Sequence, residues 1–225
     1  MLVVAAHPDD EVLGCGGTII KHCKSGDEVH VMIMAEGVTS RTKHSIKSNE
    51  KALERLHANA FRASKIMGVS SVNMALFPDN RMDSVNLLDV IKKIEDEVED
   101  FGPDIVYTHH LGDVNIDHRI THEAVVTACR PMPGTTVRKM LFFETLSSTE
   151  WQMSVTNKVF LPNLFVDVET EFEQKIEALK CYESEMRLYP HSRSYDAVKI
   201  LSCFRGFSVG KKCAEAFEVG REIID

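Results

Sequence analysis

The chain has 225 residues, 44% of them hydrophobic and 27% charged, and its formal net charge is -8 at pH 7. This length suits a single domain over residues 1–225 with a full hydrophobic core. The acidic balance argues against a nucleic-acid-binding protein, because such a protein needs a concentrated basic face.

Short apolar runs alternate with longer amphipathic stretches along the chain. The predicted strands are Met1–Ala6, Glu28–Ala35, Ser71–Leu76, Asp104–His109 and Lys139–Glu144, with Asn163–Val168 as a sixth strand at an edge. The predicted helices are Glu11–Ser25, Ser48–Met67, Ser84–Phe101, Arg119–Cys129, Thr170–Glu185 and Tyr195–Cys203. This alternation predicts an α/β fold, a single Rossmann-like three-layer domain with a mostly parallel sheet.

Polar residues directly follow each of the five main predicted strands. They lie at 7–10, 36–41, 78–81, 109–118 and 144–145. Ligands of parallel α/β sheets bind beyond the carboxyl ends of the strands. We therefore expect these five polar groups to converge on one site at that edge of the sheet.

The strongest local signal is the hexapeptide Ala6-His7-Pro8-Asp9-Asp10-Glu11, where the first strand ends and a helix begins. His7 and Asp10 are three residues apart, so both can face one point, and imidazole with carboxylate is a typical first-row metal pair. Asp9 lies between them and is free to act as a base. The alternative is helix capping, since carboxylates are favoured in a first helical turn without any metal.

The glycines of Gly14-Cys15-Gly16-Gly17 follow too late after the strand for a dinucleotide-binding fingerprint. We interpret them as small residues that let the first helix pack close to the sheet.

A second cluster, from Tyr107 to His118, follows the fourth predicted strand. One histidine here would complete a three-ligand site and leave a position for water, as in catalytic zinc sites. An HExxH motif is excluded because Arg119 occupies the Glu position. We prefer His118 as the ligand and assign His122 to the surface or to a supporting contact. Of the pair at 109–110, we expect one to point to the site and one into the core.

These two motifs, Ala-His-Pro-Asp-Asp-Glu and a later Asp-His ahead of a helix, resemble the PIG-L/LmbE family of N-acetylglucosaminyl de-N-acetylases over essentially the whole chain. The resemblance implies a metal-dependent hydrolase that removes an N-acetyl group from a small amino sugar or sugar conjugate. It also implies that His7, Asp10 and His118 bind Zn²⁺ and that Asp9 is the general base. The ligand types also permit Fe²⁺ or another divalent ion.

The chain departs from the family at Asn115, where relatives often carry a histidine that helps to stabilise the oxyanion. An amide can donate a hydrogen bond to the oxyanion but cannot protonate a leaving amine. The proton must then come from Asp9 acting twice or from another histidine, of which His191 is the best candidate. A plain loop histidine remains the alternative for His191. Asp117 is expected to orient a ligand from behind.

The remaining polar strand ends suit a sugar substrate. Arg41 and Arg81 are expected to clamp hydroxyls or a phosphate, and Asp79, Asn80 and Glu144 to exchange hydrogen bonds with sugar hydroxyls. Each of these residues is equally well explained by a structural role. Two other functions stay open: an amidase that cuts a larger acyl group, and a sugar- or nucleotide-binding module with a vestigial metal site.

Six cysteines without a C-x-x-C pair predict reduced thiols. The apolar N-terminal residues lead at once into the His-Pro-Asp-Asp motif, which predicts a buried strand rather than a signal peptide. No apolar run approaches the ~20 residues of a membrane span. We expect a cytoplasmic protein whose oligomeric state is open, a homo-oligomer included.

Overall fold

The computed structural model describes residues 1–37, 46–155 and 158–224, with the backbone alone for residues 46–50. Seven strands form one sheet: β1 (Leu2–Ala5), β2 (His30–Ala35), β3 (Ser71–Phe77), β4 (Ile105–His109), β5 (Lys139–Phe143), β6 (Leu164–Asp167) and β7 (Ala214–Glu222). Their order across the sheet is β3-β2-β1-β4-β5-β7-β6. The first five are parallel to one another, which confirms the predicted mostly parallel sheet, and β6 lies at an edge.

Strand β7 is the one element of the sheet that the sequence analysis does not predict. It runs antiparallel between β5 and β6 and pairs with both. Its sequence mixes alanine, phenylalanine and glutamate without a long apolar run. Pairing on both sides, rather than local hydrophobicity, determines this strand.

Six helices cover the sheet: α1 (Asp10–Lys24), α2 (Ile46–Met67), α3 (Leu87–Phe101), α4 (Ile116–Ala128), α5 (Phe172–Lys180) and α6 (Tyr195–Phe207). Two separate clusters of buried apolar side chains contain alternate residues of β1, such as Val3 in one and Val4 in the other. Because alternate residues of a strand face opposite sides, helices cover both faces of the sheet. The three-layer α/β fold is therefore confirmed.

The start of α4 differs from the prediction in a way that matters for the site. The helix begins at Ile116 rather than at Arg119, because the Asn115 side chain accepts a hydrogen bond from the Asp117 N–H at 2.8 Å. This N-cap satisfies one of the free donors of the first turn. The shift places His118 in the first turn of α4, next to the carboxyl ends of β1 and β4.

The glycines of α1 do allow a close approach to the sheet. A Cβ at Gly14 would lie 2.3 Å from a ring carbon of Phe143, and a Cβ at Gly17 would lie 2.9 Å from Val168. A side chain at either position would have to displace these neighbours, which supports the packing interpretation of the glycines.

A buried ion pair stabilises the kink of α1. Cys15 has non-helical dihedral angles, and the freed N–H groups of Gly17 and Thr18 are accepted by the Glu215 carboxylate at 2.8 and 2.7 Å. The Lys175 ammonium donates to the same carboxylate at 2.6 Å. Both charged side chains are almost fully buried. Glu215 thus joins β7, α1 and α5.

Replacing Glu215 with Ala should destabilise the protein by about 3–5 kcal/mol, because it leaves the Lys175 charge buried without its partner. Urea unfolding followed by circular dichroism measures the change. Glu222→Ala on the same strand is the matched control, since Glu222 pairs with Lys139 at the surface. Such an exposed pair contributes about 0–1 kcal/mol. Equal losses in the two variants would contradict a structural role for the buried pair.

All six cysteines are free thiols, and two of them, Cys15 and Cys129, are buried. Among the helices in the described part of the chain, none has the length and apolar character needed to traverse a bilayer.

Candidate active site

Three candidate metal ligands meet at the carboxyl edge of the sheet. His7 lies just beyond β1, Asp10 begins α1, and His118 lies in the first turn of α4. The Nδ1 atom of His7 is 3.2 Å from Asp10 Oδ2 and 3.3 Å from His118 Nε2. The third distance, from His118 Nε2 to Asp10 Oδ2, is 3.1 Å. The structure brings together the three residues that the sequence predicts as ligands.

These distances fit a first-row metal ion. Ligand atoms at about 2.0–2.1 Å from a tetrahedral ion lie roughly 3.3–3.4 Å apart, close to the three separations in this site. Two imidazole nitrogens facing each other do not form a good hydrogen bond if both are unprotonated. In addition, the second carboxylate oxygen of Asp10 is buried and has no hydrogen-bond partner among the described residues. A shared cation satisfies all of these atoms.

Carboxylates lie behind both imidazoles. Asp117 Oδ2 is 3.0 Å from His7 Nε2, and it also accepts the Asn80 N–H at 2.6 Å. Asp113 Oδ2 lies 3.0 Å from His118 Nδ1, although without good hydrogen-bond alignment. Such contacts orient the rings and raise their basicity, which is the support a metal-binding histidine needs.

The same carboxylates make the site strongly attractive to positive charge. Burial opposes protonation of His7, yet hydrogen bonds to Asp10 and Asp117 raise its pKa to about 10. Burial is likewise outweighed at His118, where Asp10 and Asp113 raise the pKa to about 9. Because a metal ion binds the deprotonated imidazole nitrogen, metal binding competes with protonation at this site.

Asp9 is buried beside the three ligands in a constrained backbone conformation. Its side chain is 1% exposed, and its φ of 105° lies in the left-handed region that non-glycine residues rarely adopt. The Glu11 carboxylate accepts the Asp9 N–H at 3.0 Å, and the Arg193 guanidinium donates to Asp9 Oδ2 at 2.8 Å. Burial raises the pKa of Asp9 to about 8, although the neighbouring Arg193 guanidinium opposes this increase.

Two adjoining cavities open beside these residues. One, of about 50 Å³, is lined by His7, Asp9 and Asp79 together with other residues. The other, of about 220 Å³, is lined by His118 and His191 among others. Both cavities share Asn115, Glu185 and Arg193 as lining residues: no other residue is common to the two.

Asn115 and Asn80 form a hydrogen-bonded pair at the site. The Asn115 amide nitrogen donates to Asn80 Oδ1 at 3.1 Å, while its carbonyl oxygen caps α4. An amide nitrogen carries two N–H groups, so one remains for a ligand. Asp79 lies close by, with Oδ1 3.4 Å from His7 Nε2.

The neighbouring histidines divide as the strand geometry predicts. His109 is buried at the site, accepts the Ala6 N–H at 2.8 Å and stacks on His118 at 3.9 Å. His110 points the other way and pairs with Glu218 of β7 at 2.6 Å. His122 is buried rather than on the surface, and its Nδ1 binds the His109 carbonyl at 2.7 Å, which is a supporting contact at the strand end.

Two of the residues predicted to bind substrate, Arg81 and Glu144, are not among the lining residues of these two cavities. Arg81 is exposed and lines neither cavity, and Arg41 lies outside the described residues. The Glu144 carboxylate binds the Arg205 guanidinium through both oxygens at 2.7 Å, beside a separate small cavity. This bidentate ion pair accounts for Glu144 as a structural residue.

Three residues that were not predicted from the sequence also contact the site. Arg193 and Glu11 hold Asp9, and Asp113 lies behind His118. Asp113 stands within the second polar cluster, so its position after a strand was a usable signal. Arg193 is 184 residues from Asp9, and no local pattern distinguishes it from other loop arginines.

Comparison with known proteins gives the family. The PIG-L family model, described as GlcNAc-PI de-N-acetylase, matches residues 2–129, which is more than half of the chain. The chain belongs to the PIG-L family. The matched range includes all three candidate ligands and Asp9, whereas Arg193 lies beyond it.

Sequence relatives of this PIG-L chain carry deacetylase names. An uncharacterized deacetylase of Escherichia coli, YaiS, is 30% identical over 82% of this chain and 90% of the relative. A diacetylchitobiose deacetylase of Thermococcus kodakarensis is 28% identical over 82% of this chain and 69% of the relative. Both relatives are named deacetylases, which agrees with the family assignment and with hydrolytic removal of an acetyl group.

Solved structures share the fold at lower identity. The N,N'-diacetylchitobiose deacetylase of Pyrococcus horikoshii superposes with a TM-score of 0.79 at 19% identity, covering 98% of this chain and 83% of the other. A 4-carboxy-2-hydroxymuconate hydratase, GalB, reaches 0.78 at 20% identity over 100% and 97% of the two chains. One fold therefore carries different reactions, and the function of this PIG-L chain has to be argued from its site.

Proposed function

We propose that this protein is a zinc-dependent deacetylase that hydrolyses the N-acetyl amide of an amino sugar or sugar conjugate, releasing acetate and a free amine. One observation carries the proposal. Two imidazole nitrogens and one carboxylate oxygen lie 3.1–3.3 Å apart beside Asp9, whose Oδ1 atom is buried and has no hydrogen-bond partner in the described part of the chain.

His7 Nδ1, Asp10 Oδ2 and His118 Nε2 would hold the ion. A bound zinc ion supplies a Lewis acid, which polarises the amide carbonyl and lowers the pKa of water from 15.7 to about 7. Three protein ligands leave positions for water and substrate, the pattern of catalytic rather than structural zinc. Histidine and carboxylate also bind iron(II), so loading the metal-free protein with Zn²⁺ or Fe²⁺ is needed to identify the metal.

Asp9 is the general base in this proposal. Arg193 occupies Oδ2, so Oδ1 is the oxygen that takes a proton from the attacking water. Asp9 lines the same cavity as His7, which places the carboxylate beside the reacting groups. A base in hydrogen-bond reach of its proton is the geometric requirement for this role.

The leaving amine needs a proton, and the contacts of the described histidines show which of them are candidates to donate it. His109 Nε2 accepts a backbone N–H, and both nitrogens of His110 have partners. His191 lines the larger cavity, and only its Nδ1 is engaged, by the Arg193 N–H at 3.0 Å. We assign the proton to Asp9 acting a second time, with His191 as the other candidate.

Asn115 takes the place of the oxyanion-stabilising histidine, and its loss should be costly. Asn115→Ala should lower kcat by about 10²–10³-fold, as removal of one oxyanion donor does. Zinc content should stay unchanged, because the amide is not a ligand in this arrangement. Initial rates of acetate release and metal analysis measure both quantities.

Asn115 also caps α4, so a control must separate capping from catalysis. Serine caps helices well, whereas alanine costs about 1 kcal/mol at this position. We expect Asn115→Ser to retain the stability of the unmodified protein but to lose kcat as Asn115→Ala does. A neutral Asn115→Ala would exclude residue 115 from the reaction. Asn115→His should instead add a titrating group near pH 6.5 to the rate profile.

Asp79 and Asn80 are the residues that we propose to contact sugar hydroxyls, since both line the smaller cavity. The diacetylchitobiose deacetylase relative supports an N-acetylglucosamine unit as the substrate. Arg81 and Glu144 line neither cavity and are therefore not included, and Arg41 lies outside the described residues. Six free thiols suit a reducing compartment, and we propose the cytoplasm.

A substrate screen tests the proposal. The purified protein is analysed for metal and incubated with N-acetylglucosamine, N,N'-diacetylchitobiose and nucleotide-linked N-acetyl sugars, and acetate and free amine are measured. We expect one ion per chain and equal release of both products. Release from N-butyryl but not N-acetyl sugars would indicate the amidase alternative. If neither bound metal nor product is detected, the binding-module alternative remains.

A further inference from the structure

Arg193 reaches the proposed catalytic base from a distant loop. It lies in the irregular segment between α5 and α6, and its Nη1 atom is 2.8 Å from Asp9 Oδ2. Its side chain is 15% exposed, whereas that of Asp9 is 1% exposed. The second guanidinium nitrogen, Nη2, is 3.7 Å from Asp10 Oδ1, beyond hydrogen-bond distance. The direct contact of Arg193 is therefore with the base rather than with the ligand.

The guanidinium is itself held in place. Its Nε atom donates to Ser147 Oγ at 3.0 Å. The backbone around Arg193 is also constrained, because its carbonyl accepts the Arg187 N–H at 2.7 Å and Ser194 caps α6. An arginine fixed at two ends loses little freedom when it holds a carboxylate.

Asp9 has two points of attachment, and they leave one oxygen available. Glu11 accepts its backbone N–H and maintains the left-handed conformation, while Arg193 binds Oδ2. Without the Arg193 contact, partial rotation about the Cβ–Cγ bond would carry both carboxylate oxygens out of line with the reacting water. A displacement of about 1 Å at a reacting group can cost 10²-fold in rate.

We infer that Arg193 is a positioning residue, which fixes the Asp9 carboxylate so that Oδ1 receives the proton of the attacking water. This inference rests on the proposed deacetylase function. In the step concerned, one O–H bond of water breaks and the proton moves to Asp9 Oδ1. The water oxygen forms a bond to the amide carbon as the C=O π bond breaks and its electron pair moves to the carbonyl oxygen. Arg193 exchanges no proton and acts only through Asp9.

The first experiment compares Arg193→Ala and Arg193→Lys with the unmodified protein. We expect Arg193→Ala to lower kcat by about 10–10²-fold with KM nearly unchanged, because orientation and not substrate binding is lost. Arg193→Lys should recover part of the rate, and added guanidinium ion should partly restore Arg193→Ala. Zinc content should stay near that of the unmodified protein, whereas the urea midpoint should fall in Arg193→Ala, because the buried Asp9 carboxylate loses its partner. Circular dichroism checks that the variant is folded under the assay conditions.

Arg130→Ala is the matched control. Arg130 also donates to a carboxylate, Glu95, at 2.7 Å, but this pair lies on the surface between α3 and α4. We expect Arg130→Ala to keep kcat, KM and zinc content, so that loss of an arginine–carboxylate pair is not by itself the cause of a lower rate.

The decisive measurement is a double-mutant cycle with Asp9→Asn. If Arg193 acts through Asp9, then Arg193→Ala should change the residual rate of Asp9→Asn by less than about 3-fold, since coupled residues are not additive. An additive 10–10²-fold loss, or a raised KM with unchanged kcat, would overturn the inference and place Arg193 on the substrate. Loss of zinc in both Arg193 variants would instead show a role in the metal centre.

The failure of this inference is distinguishable from failure of the proposed function. The unmodified protein is assayed first for acetate release. If it releases none, the proposed function fails. If it is active and Arg193→Ala is equally active, only the positioning role of Arg193 is excluded.

Discussion

Replacing Asp9 with Asn should lower kcat by about 10²–10⁴-fold while zinc content stays at one ion per chain, because the base is lost and no ligand is removed. Asparagine also tolerates the left-handed backbone of this position better than most residues, so the fold should be retained. Acetate release at saturating substrate and metal analysis measure the two effects.

Asp10→Asn is the matched variant for Asp9→Asn, since the two residues are adjacent carboxylates with different assigned roles. We expect Asp10→Asn to lose zinc together with activity. If Asp9→Asn loses zinc and Asp10→Asn retains it, the two roles are exchanged. A His191→Asn variant with the full rate would leave Asp9 as the proton source for the amine.

Removing the metal should lower the rate by about 10³-fold or more, since the ion contributes several kcal/mol of transition-state stabilisation at 1.36 kcal/mol per tenfold. Dialysis against a chelator prepares the metal-free protein, and stoichiometric Zn²⁺ or Fe²⁺ is then added back. The ion that restores the higher rate identifies the better metal. A metal-free protein with the full rate would exclude a catalytic ion.

The carboxylate behind His7 provides a finer test of the same centre. Asp117→Asn should weaken zinc affinity about 10–100-fold, as loss of a supporting partner of a metal-binding histidine does. Asp27→Asn is its control, because Asp27 pairs with His22 at 2.6 Å on the surface, away from the ligands. Competition with a chromophoric chelator measures both affinities. Equal affinities in the two variants would contradict the role of Asp117.

The convergence of the three candidate metal ligands was the most predictable part of the site. The hexapeptide around His7 contains a strand end and a helix start, and these local elements fix the relative positions of His7 and Asp10. The third candidate ligand, His118, could be predicted because the carboxyl ends of parallel strands lie at one edge of the sheet. The helix boundary before His118 was wrong by three residues, since the capping of α4 by Asn115 was not recognised.

Two residues predicted to contact substrate lie away from the two cavities, and their surroundings give the physical reason. Arg81 and Glu144 follow strands as the ligands do, but Arg81 turns to solvent and Glu144 binds Arg205. Position at a strand end limits where a residue lies, while the direction of its side chain depends on neighbours from elsewhere in the chain. Charged residues at such positions look alike in sequence whether they bind a ligand or each other.

The α/β class and the five parallel strands could be predicted from the sequence alone, and so could the three candidate metal ligands, because hydrophobic periodicity and turn-forming residues act over short distances. Tertiary structure alone decided strand β7, the buried pair of Glu215 and Lys175, and the contact of Arg193 with Asp9. Each of these depends on partners more than 30 residues apart along the chain. Local pattern carries no information on such pairing, since the free energy of a buried charge is set by the partner that folding brings to it.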